Sequence, residues 1–288
     1  MDLIGRAVLV GMIVLFVGTI PRNLVFAANL RFFAAVPWAV PATAVLLWLF
    51  WRYVRGDGPP ASTADERRRS FRANRLPARV WTWALLAGGL GLVALVLALR
   101  VANRLVELPL QAVPELGQVP GSTMVALILM GAVIAGVVEE SAFRGYMQRL
   151  IEQRYGLVVA ILITGTMFAV AHLDFTLMLW PYYVAVTAVY GAVAFLTDSI
   201  LPSVVLHTGG NVYSNLYLWL YGRAEWQTTS GPADLVWSTG VDAAFLAVLI
   251  ELVVATAAMA WGYRRLARVC RVALPIAPSS SSRAEGAV

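Results

Sequence analysis

What most limits the folds open to this chain is a series of apolar runs. Windows at about 3–20, 36–54, 81–99, 122–150, 157–174, 177–197, 200–220 and 241–263 are nearly free of charge and are separated by polar stretches. Roughly 20 apolar residues in helical form cross a hydrocarbon layer about 30 Å thick. Within that layer a backbone must satisfy its own hydrogen bonds, as a helix does. The expected fold is therefore all-α, a polytopic membrane protein of about eight transmembrane helices. Composition agrees: 60% hydrophobic and 13% charged residues, against roughly half apolar and about 25% charged in soluble domains, exclude a water-soluble globule. The first window has only Arg6 ahead of its core and no small-residue cleavage site, so it is expected to be a retained span.

Charge then sets an expected orientation. All 22 basic residues are arginine, and the net charge is +6. Eight arginines fall between Arg52 and Arg79 and four between Arg264 and Arg271, beside apolar spans and without interleaved stacking aromatics. Membrane anchoring explains them better than nucleic-acid binding, and no nucleic-acid partner is expected. With both termini cytoplasmic, 17 of the 22 arginines lie inside, as the positive-inside bias requires. The predicted organisation is N-terminal transmembrane helices at 1–54, a cytoplasmic Arg-rich linker at 55–80, a third helix and loop at 81–121, a core at 122–220, a last helix at 241–263 and a disordered cytoplasmic tail at 264–288. Trp226 and Trp237, in the loop 221–240, suit a headgroup zone. A single cysteine, Cys270, rules out an internal disulfide and a thiolate metal cage. The Arg-, Ala-, Val- and Gly-rich, lysine-free composition points to a bacterial plasma membrane.

Ionisable side chains inside a bilayer are expensive, and they mark function unless they are merely structural. Here they cluster. One segment holds Glu139, Glu140 and Arg144, a second holds Phe168 and His172, and a third holds His207 and Asn211, which accounts for both histidines of the chain. Glu140 and Arg144 stand one helical turn apart and can pair, while Glu139 points about 100° away. A tight turn at Tyr155 and Gly156 is expected to fold the fourth and fifth spans into an antiparallel hairpin, with Gly156 supplying a left-handed residue. Glu140 lies 16 residues before Gly156 and His172 lies 16 after it, so both stand about 24 Å from the turn. A carboxylate and an imidazole are thereby predicted at one depth.

Such a set can activate water and hold an oxyanion, which is the chemistry of amide hydrolysis. Ser141 has no flanking base and is not expected to be a nucleophile. A zinc site using Glu139, His172 and His207 is the alternative. The helical HExxH spacing is absent, which favours direct glutamate catalysis with no cofactor.

In their order EExxxR, FxxxH and HxxxN, these motifs resemble those of the CPBP (Abi) intramembrane proteases and the similar type II CAAX prenyl endopeptidases. The likeness spans roughly residues 120–215. It implies a helical protease with an intramembrane active-site cavity acting on a membrane-associated or lipidated peptide. It further implies that Glu139 activates water with His172, that His207 and Asn211 stabilise the oxyanion, and that Glu140 and Arg144 orient the site. Ser141 and Ala142 depart from the bulkier apolar residues common in relatives. Family members are often labelled metalloproteases.

Blander explanations exist for each residue. Glu140–Arg144 alone could be a structural ion pair, and a lone membrane histidine often only bridges helices. Phe168 is expected to pack and to shape the rotamer of His172. Tyr213, Asn215 and Asp174 are near enough in sequence to line a cavity, and Glu251 has no assigned partner. The rival functions are a proton-coupled transporter, disfavoured by the lack of internal repeats, and a catalytically silent membrane scaffold.

Overall fold

A computed structural model describes residues 2–111, 119–173, 177–229 and 231–274. Asp174 and the tail from 275 onward lie outside the described residues. The described chain is helical, with no strand: α1 (Leu3–Phe32), α2 (Ala39–Val54), α3 (Ala64–Phe71), α4 (Ala78–Leu105), α5 (Gly121–Glu140), a wide π turn (Ser141–Met147), α6 (Gln148–Ala171), α7 (Trp180–Thr197), α8 (Leu201–Tyr221), the single turn α9 (Val236–Thr239) and α10 (Ala243–Ala273). Among the described residues five helices are long and apolar enough to cross a membrane: Leu3–Phe32, Ala78–Leu105, Gly121–Ala171, Leu177–Thr197 and Ala243–Ala273. Gly121–Ala171 breaks at Gly156 and so contains two rods, Ala39–Val54 is a shorter apolar helix, and Leu201–Tyr221 is diluted by His207, Asn211 and other polar residues. Each of the eight apolar windows coincides with one of these rods.

Local chemistry sets the corners. Asp2 caps α1 by accepting from the Gly5 N–H at 2.7 Å. Asn29 clamps the α1–α2 turn: its amide donates to the carbonyls of Phe33 and Val36, and its oxygen accepts from the Ala39 N–H at 2.8 Å. Gly156 has φ 83 and ψ 166. That is not the left-handed helical turn expected from sequence but an extended positive-φ conformation that essentially only glycine adopts, so the two rods meet at a sharp corner.

The antiparallel hairpin holds only in part. Phe143, 13 residues before Gly156, meets Phe168, 12 after it, with ring centroids 5.3 Å apart. Beyond that level the rods part, α5 lying along α8 and the second half of α6 along α7. Gly136 explains why α5 chooses α8: a Cβ there would sit 2.3 Å from Thr208 Oγ1, so the close approach requires glycine. The second half of α6, residues 157–171, is about 22 Å long.

Polar clusters close both ends of the bundle. At one end the Arg-rich segment, read from sequence as a linker, is folded and docked. Arg72 pairs with Glu152 and with Asp198, Arg149 reaches Asp198 at 2.6 Å, and Asn74 donates to the Asp198 carbonyl at 2.7 Å. The Ile200 N–H donates to the Arg72 carbonyl at 3.0 Å. Burial, with Arg149 alongside, lowers the Arg72 guanidinium to about 10, and Asp198 opposes that shift. Arg72→Ala strands the buried Glu152 carboxylate and is expected to cost about 3 kcal/mol, read as a lower unfolding midpoint and faster limited proteolysis within 55–79. At the other end Arg104 donates to the Asp234 carbonyl at 2.6 Å and to Asp242 at 2.8 Å. That hydrogen bond holds the Asp242 carboxyl below its usual range. Trp237 is exposed, as a headgroup residue should be, and its indole donates to the Leu105 carbonyl. Trp226 is not: it is buried with Leu99, Leu108, Leu179 and Ala224 in a small apolar plug. Glu251 faces outward from α10 and makes no ion pair among the described residues.

Candidate active site

Arg149 and Asp198 mark a common level, and nine residues along the chain from each stand Glu140 and His207. They meet. Glu140 Oε1 lies 2.8 Å from His207 Nδ1 and accepts from Arg144 Nη1 at 3.0 Å. Glu140 and Arg144 are completely buried, and His207 is 3% exposed. A charge pair this deep leans on its remaining bonds, and here they are incomplete: Glu140 Oε2 and Arg144 Nε have no hydrogen-bond partner among the described residues. Arg144 Nη2 donates to Thr187 Oγ1 at 3.1 Å, and the guanidinium lies over the rings of Phe168 (4.9 Å) and Tyr190 (5.2 Å). Tyr190 also stacks on His207, with centroids 5.0 Å apart and planes within 12°.

The second ring nitrogen of His207 faces the other acid, with Nε2 3.7 Å from Glu139 Oε2. Both nitrogens of one imidazole are therefore addressed by adjacent carboxylates of the α5 terminus. Glu140 Oε1 accepts from Arg144, so Nδ1 is the ring nitrogen that donates to it and Nε2 is the one turned toward Glu139. The π turn begins at Ser141, directly after the two acids. It carries a wider helical repeat, of the kind often found at functional sites, and brings Arg144 back under Glu140. Ser141 points elsewhere, its hydroxyl donating to the Val137 carbonyl at 2.7 Å.

His172 stands apart. It caps α6, is exposed, and its Nδ1 lies 2.8 Å from the Phe168 carbonyl. A carbonyl only accepts, so Nδ1 carries the proton, and Nε2 has no hydrogen-bond partner among the described residues. Its ring lies 4.5 Å from Phe168 and 4.9 Å from Tyr183, while Phe168 lies 6.1 Å from His207. Phe168 thus separates the two imidazoles and supports both. The predicted depth match does not make His172 the partner of Glu140: among the described residues the imidazole within ion-pair distance of Glu139 and of Glu140 is His207. The reason is that α5 turns to α8 while α6 stops at Ala171.

His172, His207 and Asn211 share a cavity of about 480 Å³ that Phe168, Tyr183 and Tyr190 also line. Tyr213 reaches its wall, and Asn215 does not. Glu139 is not among the lining residues, and its side chain is 15% exposed. Sequence reading missed Thr187, Tyr190 and Tyr183. Their spacing of four and three places them on one stripe of α7, the only sequence signal they give. Among the described residues no three His, Cys, Asp or Glu side chains converge as metal ligands.

Residues 121–213 match the family model described as type II CAAX prenyl endopeptidase Rce1-like. Over this stretch the chain is similar to the CAAX proteases. The match covers about a third of the chain, from the start of α5 to two residues past Asn211, and takes in all three motifs, EExxxR, FxxxH and HxxxN. No curated protein and no solved structure matches the chain. The likeness is thus to a family of peptide hydrolases, carried here within an all-helical membrane protein.

Proposed function

We propose that the protein is a glutamate-dependent intramembrane endopeptidase acting on a membrane-associated or lipidated peptide. The observation that carries this reading is the placement of Glu139 and Glu140 on the two ring nitrogens of the buried His207, beside a cavity that also holds His172 and Asn211. Water attacks the scissile carbonyl carbon as Glu139 takes its proton. At 3.7 Å from His207 Nε2, Glu139 shares that proton with an imidazole anchored through Nδ1 on Glu140. The protonated Nε2 and the Asn211 amide then donate to the oxyanion. His172, across the cavity, orients the water through Nε2. The proton passes to the departing amine as the carbon–nitrogen bond breaks. The Arg72 end faces the cytoplasm in this reading, with both termini on that side, because the arginines outside the spans gather there.

The decisive assay uses purified protein in lipid nanodiscs with a membrane-anchored peptide. Cleavage is expected, and His172→Ala is expected to slow it by about 10²-fold. Ion flux without cleavage in proteoliposomes would instead assign a carrier. Activity is also expected to persist after prolonged chelation, with no zinc found by elemental analysis. Loss on chelation and recovery with zinc alone would overturn the glutamate mechanism while leaving the protease assignment standing.

A further inference from the structure

The stretch matched to the CAAX proteases begins at residue 121, yet a helix from well before it reaches the two acids. Helix α1 runs antiparallel against α5 and the π turn, and glycines fix its register. Gly11 packs on Met147 and Ala142, Gly18 on Val138, and Phe26 on Gly131. A Cβ on Gly18 would overlap the methyls of Val138, so the close approach requires glycine there. Arg22 lies midway between Gly18 and Phe26 and is therefore level with the middle of the stretch from Gly131 to Val138. Glu139 follows Val138, about 7 Å farther along the helix axis.

Side chains on a helix lean toward its own N-terminus. In an antiparallel pair with this offset, Arg22 leans toward the level of Glu139, and Glu139 leans back toward Arg22. The guanidinium is tethered to α5 by a long hydrogen bond of 3.5 Å to the Gly131 carbonyl, and it donates to Asn23 Oδ1 at 2.7 and 3.0 Å. It interacts electrostatically with Glu139 without closing to ion-pair distance among the described residues. The other titratable groups facing Glu139 are Glu140 beside it, His207 from α8 and Tyr190 from α7. Two carboxylates side by side against one imidazole repel each other. One cation each offsets that repulsion: Arg144, in contact, for Glu140, and Arg22, at longer range, for Glu139.

We infer that Arg22 is a positioning residue for the proposed general base, its guanidinium acting from α1 to hold Glu139 as a carboxylate turned toward His207. The inference rests on the glutamate reading of the site and adds to it a helix that none of the three motifs includes. The test is steady-state cleavage of the membrane-anchored peptide by the full chain in lipid nanodiscs. Arg22→Gln keeps a donor for the Gly131 carbonyl and removes the charge. It is expected to lower kcat about tenfold, the scale of one charge acting across a helix interface, with KM within about twofold of the parent value and the unfolding midpoint unchanged. Arg22→Lys restores a cation and is expected to recover most of kcat. An Arg22→Gln protein as active as the parent would overturn the inference. So would a loss of activity that comes with a lower midpoint, or one that lysine does not relieve, since either marks a structural arginine. Glu139→Gln, assayed in parallel, tells two failures apart. If it slows cleavage while Arg22→Gln does not, the role of Arg22 alone falls; if it is fully active, the glutamate reading falls and this inference with it.

Discussion

Glu139→Gln is expected to lower peptide cleavage by about 10²–10⁴-fold, the range in which positioned general bases act, with the unfolding midpoint unchanged. The second half of that expectation follows from geometry. Glu139 is partly exposed, lies 3.7 Å from His207, beyond hydrogen-bond distance, and faces Arg22 only through charge, without an ion pair among the described residues, so Gln in its place breaks no bond of the fold. Glu140 is the opposite case. It is fully buried and bonded to both Arg144 and His207, so Glu140→Gln should lose stability and activity together. Measuring both variants separates the adjacent acids by role. Full cleavage by Glu139→Gln would refute it as the base. A collapse of stability in that variant would show it to be structural.

The larger effect on folding is expected at Arg144. Its guanidinium is the permanent cation beside Glu140: Thr187, Phe168 and Tyr190 are uncharged, and His207 is a cation only when protonated. Arg144→Met retains much of the volume but strands the carboxylate, at a cost of about 3–5 kcal/mol. The paired change Glu140→Leu with Arg144→Met removes both charges and should recover a large part of that loss, although it leaves His207 Nδ1 without its acceptor. Unfolding midpoints of the two variants in one detergent suffice to check this. If Arg144→Met alone lies within about 1 kcal/mol of the unaltered protein, the ion pair is not what steadies this part of the bundle.

The parts of this fold that sequence reveals are those set by periodicity and spacing along one helix. Eight apolar windows fall on eight rods, and the four-residue step from Glu140 to Arg144 becomes an ion pair. Counting from Gly156 also brings Phe143 to Phe168. What it misses depends on which neighbour a helix selects. Equal depth placed His172 beside Glu140, yet Gly136 lets Thr208 and hence α8 take that position. Thr187 and Tyr190 were invisible because a threonine and a tyrosine in an apolar span look like ordinary filling until Arg144 and His207 arrive from other helices. Arg72 read as one charge among many in a linker. Its burial against Glu152 and Asp198 joins residues separated by 80 and 126 positions, a distance over which no local pattern carries information.

The short second half of α6 has a consequence for the surrounding lipid. A rod of about 22 Å cannot match a layer of about 30 Å, so the acyl chains beside it must shorten or tilt and the membrane surface dips toward Ala171 and His172. Solvent and a tethered polypeptide approaching from that side meet a dimple rather than a flat wall, and much of the barrier to bringing either near the imidazole is removed by the shape of the bilayer itself.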